Sequence, residues 1–115
     1  IILSLFGLRK TAIVCGVSME PSLKNGDLVF FKRYFANKSI LKPGEIIIFN
    51  HPLENIKLIK RVKTINEFSV EVSGDNKENS KDSELFGFIQ KSKILGIVTS
   101  AIRINSLRKL SPFKS

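Results

Sequence analysis

The 115-residue chain has one cysteine, one histidine, one tyrosine and no tryptophan. A lone Cys15 excludes an internal disulfide and gives no sign of an oxidising compartment. Cys15 and His51 are too few for a Cys- and His-rich metal site, and they leave little material for a Ser-His-Asp triad. Acids are scarce too: 10 Asp and Glu stand against 19 Lys and Arg, for a formal net charge of +9. All the acids lie at or before Glu84, and after it come Lys91, Lys93, Arg103, Arg108, Lys109 and Lys114. Such a basic end suits anionic lipid headgroups, nucleic acid or an acidic partner, and a solvated tail explains it equally well. No apolar run approaches the roughly 20 residues that span a bilayer. Ile1 to Leu8 is apolar and ends in Arg9-Lys10. It is expected to be a first strand, a loose arm or the end of an anchor begun upstream. Its charge follows the apolar stretch, the reverse of a secretory signal peptide.

What remains suffices for one domain with a real core, since 43% of residues are hydrophobic and 25% charged. Short β-branched runs separated by turn signals predict strands at Thr11–Cys15, Leu28–Lys32, Glu45–Phe49, Lys57–Ile65, Phe68–Val72 and Ile94–Ile102. The pattern predicts an all-β fold, a small barrel or sandwich. Lys24-Asn25-Gly26-Asp27 and Lys42-Pro43-Gly44 read as turns, Arg33 to Leu41 as an irregular excursion, and Asp75 to Glu84 as a polar surface loop. Most of the nine Phe alternate with aliphatic residues and are expected in the core. The organisation expected is an apolar arm or anchor end over residues 1–10, a domain over 11–102 and a weakly ordered basic tail over 103–115.

Two segments carry chemistry. Gly16 and Pro21 bracket Ser18 in a short turn, which is expected to present the hydroxyl rather than pack it. Further on, Lys60 sits in an apolar run. A serine hydroxyl is a poor nucleophile until a base takes its proton. A lysine amine serves only when neutral, and burial lowers a lysine pKa by roughly 3–5 units in full cases. Residues two apart on a strand share a face, so Lys60 lies with Leu58 and Val62, while Lys57, Ile59 and Arg61 point the other way. The like charge of Arg61 next door adds to the depression. On composition alone an exposed lysine is the commoner case. In the polar loop that opens with Gly74-Asp75-Asn76, Ser80, Asp82 and Ser83 can orient a neighbouring amine or brace a loop. Local Asx turns explain them nearly as well.

Three blocks in order resemble the type I signal peptidases. They are Gly16-Val17-Ser18-Met19-Glu20-Pro21-Ser22-Leu23 with Gly26-Asp27, then Ile59-Lys60-Arg61-Val62, then Gly74-Asp75-Asn76 through Ser80, Asp82, Ser83 and Phe86-Gly87. The resemblance implies a β-rich catalytic core shared with self-cleaving repressor domains, and a cofactor-free, metal-free endopeptidase that removes N-terminal leaders. It implies Ser18 as nucleophile, its backbone N–H as an oxyanion donor, and Lys60 as general base. Ser80 would hold the amine, with Asp75, Asp82 and Arg61 in support. Some positions depart from the family pattern: Glu84 stands where Arg is frequent, Ser22 where Thr is usual, and Glu45 where Asp is frequent. Gly16 stands where some relatives place an oxyanion-binding serine. The large substrate-binding insertions are absent, as in compact members such as the maturation proteases for nickel superoxide dismutase.

The substrate is expected to be a protein or peptide bound as an extended strand. The location expected is cytoplasmic or peripheral at an anionic membrane surface, or membrane-anchored if an upstream segment exists. Nucleic acid is not expected. Two other readings stay open: a self-cleaving repressor-type peptidase domain, and a non-enzymatic basic barrel that binds nucleic acid.

Overall fold

A computed structural model describes residues 9–77, 88–103 and 112–114, with residues 9 and 112–114 as backbone only. Its strands are β1 (Arg9–Cys15), β2 (Asp27–Arg33), β3 (Ile46–Asn50), β4 (Lys57–Ile65), β5 (Ser69–Ser73), β6 (Ile89–Gln90), β7 (Ile94–Arg103) and β8 (Pro112–Lys114). The fold is all-β, as its alternating and β-branched runs dictate. In β2 the alternation buries Asp27, Val29 and Phe31, and in β5 it buries Val70 and Val72. The strands lie in the order β3-β7-β2-β1-β8-β4-β5-β6, and a further β3–β4 pairing closes a ring from β3 round to β4. Pairing is antiparallel throughout except at β8, which runs parallel to both β1 and β4.

Two packed clusters form the core. One gathers Tyr34, Ile47, Phe49, Leu58, Val62, Val70, Val72, Ile89, Ile94 and Ile97. The other gathers Ala12, Val14, Met19, Leu23, Val29, Phe31, Ile48 and Ile59. The β3–β4 hairpin divides them, because it buries both of its faces: Ile47 and Phe49 go to one side, and Ile48 to the other. A strand covered on both faces reads as a continuous apolar run, which is what Ile46 to Phe49 shows.

The structure corrects three expectations. Of the phenylalanines whose side chains are described, Phe31 and Phe49 are buried, but Phe35, Phe68 and Phe88 are exposed. Phe68 precedes β5 instead of opening it, so no pleat turns it inward. The segment from 103 onward is not wholly a tail, since Arg103 ends β7 and residues 112–114 form β8. The excursion after β2 holds as irregular chain, with Tyr34 buried at its start. No helix among the described residues is long and apolar enough to cross a membrane. The Ile1 to Leu8 arm lies outside the described residues.

Gly96 of β7 shows how tightly the ring closes. A Cβ there would collide with the edge of the Phe31 ring and lie 2.9 Å from the Lys32 carbonyl oxygen. Replacing Gly96 with Ala therefore forces β7 away from β2. The expected cost is about 1–3 kcal/mol, read as a lower midpoint in urea unfolding of Gly96→Ala. An unchanged midpoint contradicts this packing.

Candidate active site

The Ser18 turn begins where β1 ends. Gly16 has φ 105°, a conformation that a side chain strains, and its N–H donates to Asn25 Oδ1 at 2.9 Å. The departure at this position therefore has a physical reason: the chain turns too sharply here for a serine. Glu20 N–H then bonds the Val17 carbonyl at 3.1 Å and Leu23 N–H the Met19 carbonyl at 2.9 Å, winding Val17 to Leu23 into consecutive turns. Met19 and Leu23 drop into the second cluster and anchor the loop.

The expectation that the turn presents the Ser18 hydroxyl is overturned. Ser18 is 2% exposed, while Val17 beside it is exposed. The Gly74-Asp75-Asn76 segment holds the turn in place. Asn76 N–H donates to the Ser18 carbonyl at 2.8 Å, and its side-chain amide to the Val17 carbonyl at 3.2 Å. Ser18 Oγ is buried without a hydrogen-bond partner among the described residues.

Lys60 lies mid-strand in β4, opposite Ile47 of β3. It is 2% exposed and shares its face with Leu58 and Val62, as the strand period requires. Arg61 turns away from that face and gathers three segments. Its Nε and Nη2 donate to the two Asp75 carboxylate oxygens at 2.9 and 2.7 Å, and its Nη1 to the Gly44 carbonyl at 2.6 Å. Nη2 also reaches Ser22 Oγ at 3.3 Å, while the Ser22 hydroxyl donates to Asp75. The Arg61 guanidinium holds the Asp75 carboxyl below its ordinary range, burial opposes this, and the Ser22 hydrogen bond assists. Asp75 in turn raises the Arg61 pKa.

The Lys42–Glu45 turn completes the support. Gly44 adopts φ 94° at the third turn position, and Glu45 N–H bonds the Lys42 carbonyl at 3.2 Å. Gly44 N–H donates to the Val62 carbonyl and Val62 N–H to the Glu45 carbonyl, so the turn is stapled to β4 beside Arg61.

The structure thus joins the segments around Ser18 and Lys60 through their neighbours. Met19 and Ile59 pack in one cluster, and Arg61 and Asp75 engage Ser22. Asp75 is not the surface residue expected, because these bonds draw it inward. Ser80 and Asp82 lie outside the described residues. Sequence reasoning gave the Gly74-Asp75-Asn76 turn a supporting role without singling out Asn76, and it gave none to Asp27, although both stand in the blocks that carry the resemblance. Asp27, 3% exposed, accepts from Lys24 N–H at 2.9 Å and from Arg103 Nε at 3.0 Å. Burial pushes its carboxyl upward, but Arg103 and the Lys24 N–H outweigh this and leave it lowered. The charge of Asp27 immediately after the Gly26 turn was the available signal. No group of His, Cys, Asp and Glu among the described residues is arranged to hold a metal.

The family described as signal peptidase, peptidase S26, matches residues 1–66, more than half of the chain and a stretch that includes both Ser18 and Lys60. The chain belongs to this family and is accordingly a hydrolase of the peptidase class. No curated protein matches the chain.

The depressed Asp75 pKa sets a pH dependence. A carboxyl whose pKa is lower folded than unfolded stabilises the fold above the ordinary Asp value of about 3.9, and this contribution is lost as pH falls through the folded value. Asp75→Asn is expected to cost about 1–3 kcal/mol near neutral pH. The gap to the parent chain should close as both are acidified below the ordinary Asp range. Urea unfolding across pH checks this, and a gap that is constant with pH contradicts it.

Proposed function

We propose that the chain is a serine endopeptidase that removes an N-terminal leader from a protein substrate, with Ser18 as nucleophile and Lys60 as general base. One observation carries the reading. Ser18, Lys60 and Asp27 are the buried polar side chains among the described residues, and Arg103 accounts for Asp27. Burying a hydroxyl without a partner costs about 1–3 kcal/mol, and burying a lysine costs more unless it is paired or neutral. A hydroxyl and an amine buried on segments joined by shared packing and by the Arg61 hydrogen bonds are suited to pass a proton between them.

In the proposed sequence Ser18 Oγ attacks the scissile carbonyl as the neutral Lys60 amine takes its proton. The amine then protonates the departing nitrogen. A water activated by the same amine releases the acyl group. The Ser18 backbone N–H is the proposed oxyanion donor, since Gly16 has no side chain to contribute. The substrate binds as an extended strand. The family match supports leader removal over a self-cleaving repressor-type domain and over a basic nucleic-acid-binding module. Secretory leaders and the leader of a dedicated maturation substrate, such as nickel superoxide dismutase, are the two substrate arms of the assay.

Ser18→Ala and Lys60→Met are each expected to reduce leader cleavage at least about 1,000-fold, because the two groups act as a unit. Both variants should keep the parent far-ultraviolet spectrum. For the parent, the rate should rise with pH and level off below the ordinary lysine value of about 10.4. Near-parental turnover by either folded variant sinks the pair. A rate still climbing through the ordinary lysine value would remove Lys60 from the role of base.

A further inference from the structure

We propose that Pro112–Lys114 is an intramolecular occupant of the peptide slot, an autoinhibitory strand that a substrate replaces. This rests on the reading of Ser18 and Lys60 given above. β8 lies between β1 and β4, which have no pairing with each other among the described residues. It runs parallel to β1, with Pro112 opposite Ile13, Phe113 opposite Val14 and Lys114 opposite Cys15. Lys114 is also opposite Leu58 of β4. Cys15 ends the strand that leads into the Ser18 turn, and Leu58 is two positions before Lys60 on the same face. Among the described residues, the segment therefore fills the gap in the ring between β1, which leads into the Ser18 turn, and β4, which carries Lys60. Its direction, set by β1, runs toward Ser18.

β8 is built to be exchanged. It has three residues, against seven in β1 and nine in β4. It begins with a proline, which has no N–H to donate. Parallel pairing is slightly weaker per residue than antiparallel. An extended peptide of the same direction offers the same backbone donors and acceptors and can pair in its stead. Within a strand flanked on both sides, successive residues direct their N–H groups to opposite neighbours. Phe113 and Lys114 between them therefore serve both β1 and β4.

The test uses the full chain carrying Phe113→Pro or Lys114→Pro, with Phe113→Gly as a milder variant if the prolines prevent folding. Each folded variant is expected to lower KM for a leader peptide about five-fold or more with kcat unchanged. A synthetic peptide matching residues 111–115 should compete with the leader peptide more strongly in the variants than in the parent. In a Ser18→Ala background the same labelled peptide should bind the variants more tightly than the parent, a readout that needs no catalysis. Tighter binding with no cleavage by any Ser18-bearing chain would uphold the occupied slot and overturn the peptidase mechanism. Normal cleavage with an unchanged or raised KM, and equal peptide affinity, would overturn the proposal and make β8 a structural strand.

Discussion

The contact on which the site depends is the two-pronged hydrogen bond between Arg61 and Asp75. A guanidinium that meets both oxygens of one carboxylate fixes distance and plane together. Here the same guanidinium also takes the Gly44 carbonyl and approaches Ser22. Four segments, distant in sequence, are thereby referred to one rigid group: the end of the Ser18 loop, the Pro43-Gly44 turn, β4 and the turn after β5. Because Arg61 is bonded directly to Lys60 along the chain, whatever holds Arg61 also limits where the Lys60 backbone can go. The pair is only partly shielded from water, so its value lies more in geometry than in raw stability.

Around this knot the fold tolerates two costs that a structural core would avoid. A lysine occupies a place on β4 between Leu58 and Val62 where an aliphatic residue would pack without penalty. The Ser18 hydroxyl is buried with no partner among the described residues. Departures from good packing and satisfied polarity concentrate where chemistry is done. Among the described residues Asp27 is also a buried polar residue. It is fully bonded by Lys24 and Arg103, and it fastens the end of β7 to the turn that follows the Ser18 loop.

Much of this was legible in the residues. Alternation and β-branching located six strands to within a residue or two at most ends, and the strand period placed Lys60 on the face of Leu58 and Val62. Other features were not legible, for identifiable reasons. The hold of Asn76 on the Val17 and Ser18 carbonyls joins segments far apart in sequence, and no local turn signal encodes it. Pro112-Phe113-Lys114 is too short and too polar in its surroundings to read as a strand, and it becomes one only because β1 and β4 leave a slot of the right width. Phe68 and Phe88 flank strands without joining them, so counting aromatic residues overestimated the core. Gly16 was read as a missing hydroxyl, but its backbone angle shows that the turn itself requires glycine.

The three consecutive isoleucines of β3 have a further consequence. Ile46, Ile47 and Ile48 are interchangeable in shape, so side-chain identity does little to distinguish the native alignment with β4 from one shifted by a single residue. Such a shift reverses the faces of a strand. Moving β4 in this way would send the Lys60 amine into the cluster that holds Met19 and Val29, and would turn Ile59 toward Tyr34 and Val70. The residues of β4, by contrast, resist such a shift, because it would also turn the Arg61 charge toward that apolar cluster. The paired bonds between Val62 and the Gly44-Glu45 backbone and the grip of Arg61 on the Gly44 carbonyl add a second index mark from outside the ladder, so the Pro43-Gly44 turn helps to set on which side of the sheet the lysine is delivered.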